Sequence, residues 1–302
     1  MPLTIDADRG RKVGKLLYAA FTSTGVMGHR EMPEDLLPDG MVKGSLEHIL
    51  FITLTVSIDY QRDADALWGN SRKSYNDPDV RYLFDPNALH VKPRQLIIQD
   101  MQKYELSRRP DKDAYIWQIV GITFHKKWQG DPRNFLEDCG WDAVKILRRL
   151  KGDQHLCNNR QRYDYPYLRG DKIGPLWLRM LRDNVGLKEI KNLEQVPIPV
   201  DRHVARSSLA LGVVRGRYDA GLNEIFGTIR KAWFESVNGL SVEGRPMIAL
   251  DVDEPLWHLS RYGCKDRDKR NGSCPNYCLC EARNYCVPGS LDVTSAHVVL
   301  NT

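Results

Sequence analysis

Residues 196–206 read Val196-Pro197-Ile198-Pro199-Val200-Asp201-Arg202-His203-Val204-Ala205-Arg206. Two prolines stiffen the first half and the second half has helical spacing, so Asp201 stands where a predicted helix begins. Asp is among the best residues at a helix N-cap, which is one interpretation of this position. A carboxylate held at a helix start is also able to stabilise a cationic sugar or to orient a water molecule. Both roles stay open for Asp201, whereas His203 is interpreted first as a packing or hydrogen-bonding residue, with a catalytic role as the alternative.

A turn bracketed by two glycines lies upstream of this stretch. Residues 168–175 read Leu168-Arg169-Gly170-Asp171-Lys172-Ile173-Gly174-Pro175. Glycine allows positive φ and a close backbone approach, and Pro175 suits the first turn of a following helix. The N–H groups at the start of such a helix are able to bind a phosphate without reading a base. An ordinary corner between two helices is the alternative interpretation.

Basic residues crowd around this turn, although a formal charge of +5 over 302 residues does not by itself establish a nucleic-acid partner. Their positions fit a phosphate footprint, and a solvated basic surface is the alternative. The residues that we predict to contact a nucleic-acid backbone are Arg169, Gly170, Lys172, Gly174, Arg179 and, further along the chain, Arg202.

Five cysteines cluster near the end of the chain with the spacing C-x9-C-x3-C-x-C-x5-C. Four thiolates suit either a [4Fe–4S] cluster or a structural zinc ion. A zinc ribbon usually has two C-x-x-C pairs, and this segment has none, so the spacing favours an iron–sulfur cluster while zinc stays open. The ligands that we predict are Cys264, Cys274, Cys280 and Cys286, which leaves Cys278 as the spare cysteine.

An apolar fraction of 42% is enough for a substantial core, and the spacing of apolar residues predicts a mainly α protein with weak strand signals. We expect two helical domains. One covers residues 45–200 and contains the glycine turn at about residues 165–184. The other combines residues 1–44 with 201–302 and carries the cysteines at 264–286. Loops are predicted at 70–92, 106–112 and 152–164.

The first ten residues are polar and charged, and the longest apolar run, Ile49 to Ile58, is far too short to cross a bilayer. We therefore expect a cytoplasmic, monomeric protein that has no membrane partner. A reducing compartment argues against a disulfide framework for the clustered cysteines and favours a metal or a cluster.

Taken in order, these segments resemble the helix-hairpin-helix DNA glycosylases, in particular the iron–sulfur branch typified by endonuclease III and the adenine-specific mismatch glycosylase. In that family a hairpin precedes a catalytic Asp in a V-D-x-H segment, and a cysteine cluster follows. The corresponding segments here are Leu168 to Gly174, Val200 to His203, and Cys264 to Cys286. The stretch from Pro255 to Cys264 also looks like the family's approach to its first cluster cysteine.

The resemblance implies a helix-hairpin-helix motif at residues 165–184, DNA as the partner, a C-terminal iron–sulfur loop and Asp201 as the catalytic residue. Two departures matter. The family's cysteine spacing is C-x6-C-x2-C-x5-C, of which only the last interval is kept. Members with lyase activity carry a lysine two residues after the second glycine of the hairpin, where this chain has Leu176.

The resemblance therefore implies a monofunctional DNA glycosylase that flips a damaged or modified base and releases it with Asp201 and water. The unusual cysteine spacing and the long loops are compatible with specialisation for an enzymatically modified base in foreign DNA, as in defence against phage. The alternative is a non-catalytic nucleic-acid-binding protein whose cysteines hold zinc.

Overall fold

A computed structural model of the chain describes residues 2–157 and 159–302. The fold is mainly helical with small sheets, so the predicted mainly α class is confirmed. The α-helices of the described residues are α1 (Ala7–Ser23), α2 (Leu46–Val56), α3 (Ala64–Asn76), α4 (Pro86–Val91), α5 (Arg94–Lys103), α6 (Pro110–Trp128), α7 (Pro132–Asp138), α8 (Ala143–Gly152), α9 (Ile173–Met180), α10 (Arg202–Ala210), α11 (Leu222–Val237) and α12 (Asp253–His258). Two of them continue into π-helical turns, α9 at Leu181–Val185 and α12 at Leu259–Gly263.

The strands are short, and every pairing is antiparallel among the residues described. They are β1 (Thr4–Ile5), β2 (Gln154–Cys157), β3 (Arg160–Tyr163), β4 (Val214–Arg215), β5 (Arg217–Gly221), β6 (Ser241–Val242), β7 (Arg245–Pro246), β8 (Ser290–Val293) and β9 (His297–Asn301). β1 pairs with β4, β2 with β3 and β6 with β7, while β5, β9 and β8 form a three-stranded sheet in that order. β2 and β3 occupy residues 154–157 and 160–163, so the prediction of a loop over 152–164 is wrong for most of that segment.

The chain forms two compact units. We call residues 1–31 with 196–302 the terminal unit, and residues 32–195 the middle unit. Residues 32–44 thus belong with the middle of the chain, and residues 196–200 with its C-terminal part. No helix in the described part of the chain is both long and apolar enough to span a membrane.

The terminal unit is built around α1, α10, α11 and α12. α1 approaches α11 closely because Gly10 has no side chain; a Cβ there would overlap the hydroxyl of Ser236. α10 is tied to α11 by the buried indole N–H of Trp233, which donates to Ser208 Oγ at 2.8 Å. Apolar residues from both ends of the chain pack in one core together with the buried face of α10.

The middle unit buries large aromatic side chains among α2, α3, α6 and α9. Two of the buried indole N–H groups donate to acceptors, as buried polar groups require. Trp117 Nε1 donates to the carbonyl of Leu83 at 2.5 Å, and Trp177 Nε1 donates to Thr53 Oγ1 at 2.9 Å. The second contact fixes α9, the helix that follows the glycine turn, against α2.

Candidate active site and cysteine centre

Asp201 is the N-cap of α10. Its Oδ1 accepts hydrogen bonds from the backbone N–H groups of His203 at 2.7 Å and Val204 at 3.0 Å. The capping interpretation of this residue is therefore confirmed. The side chain is only partly buried, so the capped carboxylate remains accessible from solvent. Capping and a chemical role are compatible, because the cap bonds fix the orientation of the carboxylate.

His203 packs beside this cap against a segment that leads to the cysteines. Its ring lies 5.6 Å from the Trp257 ring, and its Nδ1 is 3.3 Å from Ser260 Oγ. Burial lowers the pKa of His203 to about 4, with nearby arginines adding to the effect and Asp201 opposing it. The imidazole is consequently neutral near pH 7. A neutral, packed ring agrees with the structural role that the sequence suggested.

Four cysteines line one pocket in the terminal unit. They are Cys264, Cys274, Cys280 and Cys286, the four that the sequence analysis chose. Cys264 and Cys280 are buried, and Cys278 is exposed and does not line the cavity. Among the described residues, no three His, Cys, Asp or Glu side chains converge closely enough to hold one metal ion.

The loops that carry these cysteines are held in place by hydrogen bonds from polar side chains. The guanidinium of Arg267, which is 6% exposed, donates to the carbonyl groups of Val287 at 2.7 Å and Gly289 at 3.2 Å. Asn276 Nδ2 donates to Asp266 Oδ2 at 3.0 Å. These bonds hold the long C-x9-C interval as a folded loop. Cysteines that are far apart in sequence therefore line the same pocket.

Arginines supply positive charge to the cysteine cavity. Burial raises the pKa of Cys264 well above its usual value, and Arg206 on α10 opposes that shift. Burial likewise raises the pKa of Cys286, and Arg267 and Arg9 oppose it. A metal that binds these thiols would deprotonate them, leaving an anionic centre. The three arginines are placed to balance such a charge.

The glycine turn of the middle unit uses its glycines for close packing. A Cβ on Gly174 would lie 2.9 Å from Leu147 Cδ2 on α8 and 3.0 Å from the carbonyl of Leu168. Neither Gly170 nor Gly174 has positive φ; in this turn Tyr167 has it, at 62°. The close approach expected from the sequence is therefore present, and the positive φ is at another residue.

The six predicted backbone-contacting residues differ in what they touch. Arg169 is partly exposed, and its guanidinium lies 3.5 Å from the centre of the Tyr163 ring. Gly170 is also partly exposed, Gly174 is buried within α9, and Arg202 is exposed. Lys172 Nζ is 3.1 Å from Asp59 Oδ2, so its ammonium already pairs with a carboxylate.

Arg179 is 1% exposed and forms an ion pair with Glu34, which is 2% exposed. The side chain faces the interior of the middle unit, because the pair supplies the opposite charge that a buried guanidinium needs. We therefore remove Arg179 from the set that we propose to contact DNA. Sequence alone gives no sign of this pair, since its partners are separated by 145 residues.

Sequence analysis also missed the residues that surround the predicted ones. Asp59 holds Lys172, and Trp257 and Ser260 hold His203. Tyr60 and Tyr167 stack at 5.4 Å in the middle unit. No local spacing links these pairs, because each forms only when distant segments fold together.

No known family model matches this sequence, and no curated protein matches it. The resemblance to the helix-hairpin-helix glycosylases consequently rests on the order and content of the motifs themselves.

Proposed function

We propose that the protein is a monofunctional DNA glycosylase with Asp201 as its catalytic residue. The observation that carries the proposal is the position of Asp201 on α10. The first turn of this helix holds the carboxylate, its middle carries Arg206 beside Cys264, and its last residue, Ala210, accepts a backbone hydrogen bond from Val287 at 3.0 Å. One nine-residue helix thus joins a partly exposed carboxylate to a four-cysteine centre.

The chemistry requires stabilisation of positive charge on a sugar. As an N-glycosidic bond lengthens, the sugar gains oxocarbenium character, and a fixed carboxylate lowers the energy of that state. Asp201 is fixed by its two backbone N–H bonds, and the positive end of the α10 dipole favours its negative form. The same carboxylate directs a water molecule to the anomeric carbon. A base within a duplex is out of reach, so the nucleotide must be flipped first.

Water is the proposed nucleophile because no amine stands in the lyase position. Leu176 occupies that position and is only 7% exposed on α9. Lys172 is the nearest lysine in sequence, and its ammonium is paired with Asp59. A protonated, paired amine is a poor nucleophile, since attack on the sugar requires the free base.

The cysteine centre fits a structural [4Fe–4S] cluster held by Cys264, Cys274, Cys280 and Cys286. Four thiols around a shared cavity suit a cluster, which occupies a volume, and Arg9, Arg206 and Arg267 balance its charge. When bound, the cluster would supply a fixed scaffold for the loop that follows α12. Zinc is the alternative that metal analysis must test.

DNA backbone contacts are proposed for Arg169, Gly170 and Lys172 of the turn and for Arg202 beside Asp201. Arg202 is exposed at the first position of α10, where a phosphate would also meet the positive end of the helix dipole. Such contacts position the strand and make binding salt-dependent. The substrate class that we propose is a damaged or enzymatically modified base in DNA.

The test is Asp201→Asn, assayed for base release on duplexes that carry a panel of damaged and modified bases. Asn caps helices as well as Asp does, so the fold and DNA binding should remain, while base release should fall by about a hundredfold or more. The matched control is Asp6→Asn, because Asp6 caps α1 in the same unit and accepts from Arg9 N–H at 3.0 Å.

Normal base release by Asp201→Asn would overturn the catalytic assignment. If the wild-type protein binds DNA and releases no base from any duplex of the panel, the non-catalytic zinc-containing alternative is favoured.

A further inference from the structure

The β2–β3 hairpin is not required to connect the elements of the middle unit that flank it. Its two ends meet at its base, where Asp164 N–H donates to the carbonyl of Asp153 at 3.1 Å. The chain could pass from α8 to the glycine turn through this contact alone. Residues 154–157 and 160–163 instead form a two-stranded ribbon, and all of its paired positions are exposed except the partly buried His155.

The base of this ribbon is rigidly attached. Asp164, with a side chain 1% exposed, lies 2.8 Å from His155 Nδ1 and 2.6 Å from Lys127 Nζ. Its carbonyl accepts from Thr123 Oγ1 at 3.0 Å. Arg169 of the turn stacks on Tyr163 at 3.5 Å. The ribbon is thus fixed to the segment that we propose to grip DNA.

The exposed part of the ribbon has the chemistry of a nucleic-acid reader. Its sequence from 154 to 163 contains no carboxylate. The register pairs His155 with Arg162 and Cys157 with Arg160, so both arginines project from one face. Neither guanidinium has an ion-pair partner among the described residues. The other face carries Leu156, which is 67% exposed, and Gln161.

We propose that the β2–β3 ribbon enters the major groove of duplex DNA, with Arg160 and Arg162 as its contacting residues. The inference rests on the proposed function, since it assumes that the partner is DNA. The major groove, about 12 Å wide, admits a two-stranded ribbon, whereas the minor groove, about 6 Å wide, does not. Four residues per strand reach about 13 Å, enough to reach the base edges.

Side-chain types on the ribbon match the groups in that groove. Arg pairs with the acceptors of guanine, Gln with adenine, and an apolar side chain contacts the methyl group of thymine. A hairpin that served only as a solvent-exposed connection would not need these side-chain types. Carboxylates that balance its arginines would also stabilise such a hairpin.

The experiment measures DNA affinity by fluorescence anisotropy over a series of salt concentrations. The variant Arg160→Ala/Arg162→Ala should bind duplex DNA about tenfold more weakly than wild type, with the salt slope little changed, because the salt slope reports contacts to phosphates rather than to base edges. The control, Lys73→Ala/Lys188→Ala, removes two charges from exposed positions of the same unit outside the ribbon. A second variant, in which Gly-Gly replaces residues 155–162, should fold and bind as weakly as the arginine variant.

Duplex RNA separates groove entry from general phosphate attraction, because its major groove is too deep and narrow for side chains to read. The arginine variant should bind duplex RNA as the wild type does. An equal loss on DNA and RNA, or a loss on DNA no greater than that of the lysine control, overturns the ribbon proposal. If the wild type binds no DNA at all, the proposed function fails as well; normal base release with an unaffected arginine variant sinks the ribbon proposal alone.

Discussion

Arg179 and Glu34 form an ion pair inside the middle unit, although 145 residues separate them in sequence. Burial raises the pKa of Glu34, and Arg179 opposes that shift. The guanidinium of Arg179 thus partly offsets the cost of burying the carboxyl group of Glu34.

Arg179→Ala should destabilise the protein by about 3 to 5 kcal/mol, because it leaves Glu34 buried without its counter-charge. The double variant Arg179→Met/Glu34→Leu should recover most of that loss, since apolar side chains of similar size replace both charges. Urea unfolding measures both effects. A variant with wild-type stability would show that the pair contributes nothing.

Gly174→Ala should destabilise the middle unit by about 1 to 3 kcal/mol, because the new methyl group meets Leu147 and the carbonyl of Leu168. The matched control is Gly152→Ala at the end of α8, where an added Cβ has no atom within 4 Å. That control should leave stability unchanged or slightly higher. Thermal unfolding of the two variants side by side tests the close approach of α8 and α9.

Serine substitutions should divide the clustered cysteines into two classes. Cys264→Ser, Cys274→Ser, Cys280→Ser and Cys286→Ser should each lower the iron and acid-labile sulfide of the purified protein, whereas Cys278→Ser should retain both, because Cys278 lies away from the cavity. Stoichiometric zinc without iron in the wild type would replace the cluster proposal by the zinc alternative.

Borohydride added during turnover should trap no covalent complex between the protein and DNA. Lys172 is paired with Asp59, and the lyase position holds Leu176, so neither of these two positions offers a free amine for attack. Denaturing gel electrophoresis of the treated mixture shows whether a covalent complex has formed. A trapped complex that Lys172→Ala abolishes would contradict the monofunctional assignment.

Stability should fall as the pH is lowered from about 6.5 to 4. His48 is 1% exposed, and burial lowers its pKa to about 4, so the unfolded chain binds a proton in this range that the folded chain does not. At about 1.4 kcal/mol per unit, this one group accounts for a loss of up to about 3 kcal/mol. His203 has a pKa near 4 for the same reason and adds to the effect.

His48→Gln keeps an acceptor for the Gly44 N–H, which donates to His48 Nδ1 at 3.1 Å. In urea unfolding at pH 7 and pH 4.5, this variant should show a smaller loss than the wild type. An equal loss would mean that His48 does not carry the dependence.

The start of α10 could be predicted from sequence because it depends on neighbours. The chain changes from a proline-stiffened segment, at Pro197 and Pro199, to a helix capped by Asp201. The helix begins at Arg202. The choice of four cysteines over Cys278 also agrees with the cavity, although the ligand role itself stays a prediction.

Ion pairs between residues that are far apart in the chain could not be predicted from local sequence. Arg179 looked like a surface arginine because its partner Glu34 lies far away in the chain, and the Lys172–Asp59 pair spans 113 residues. The β2–β3 hairpin cannot be recognised from sequence because both of its faces are exposed, so it lacks the apolar–polar alternation that indicates a half-buried strand.

α10 carries Asp201 at its cap, and its last residue is bonded to the loop that follows Cys286. If the four cysteines hold the proposed cluster, iron supply during expression bears on the chemistry as well as on the fold, because the loop that binds the cluster is bonded to the far end of this helix. The specific activity of different preparations should follow their iron content rather than their protein concentration, and cells starved of iron should lose the activity before they lose the protein.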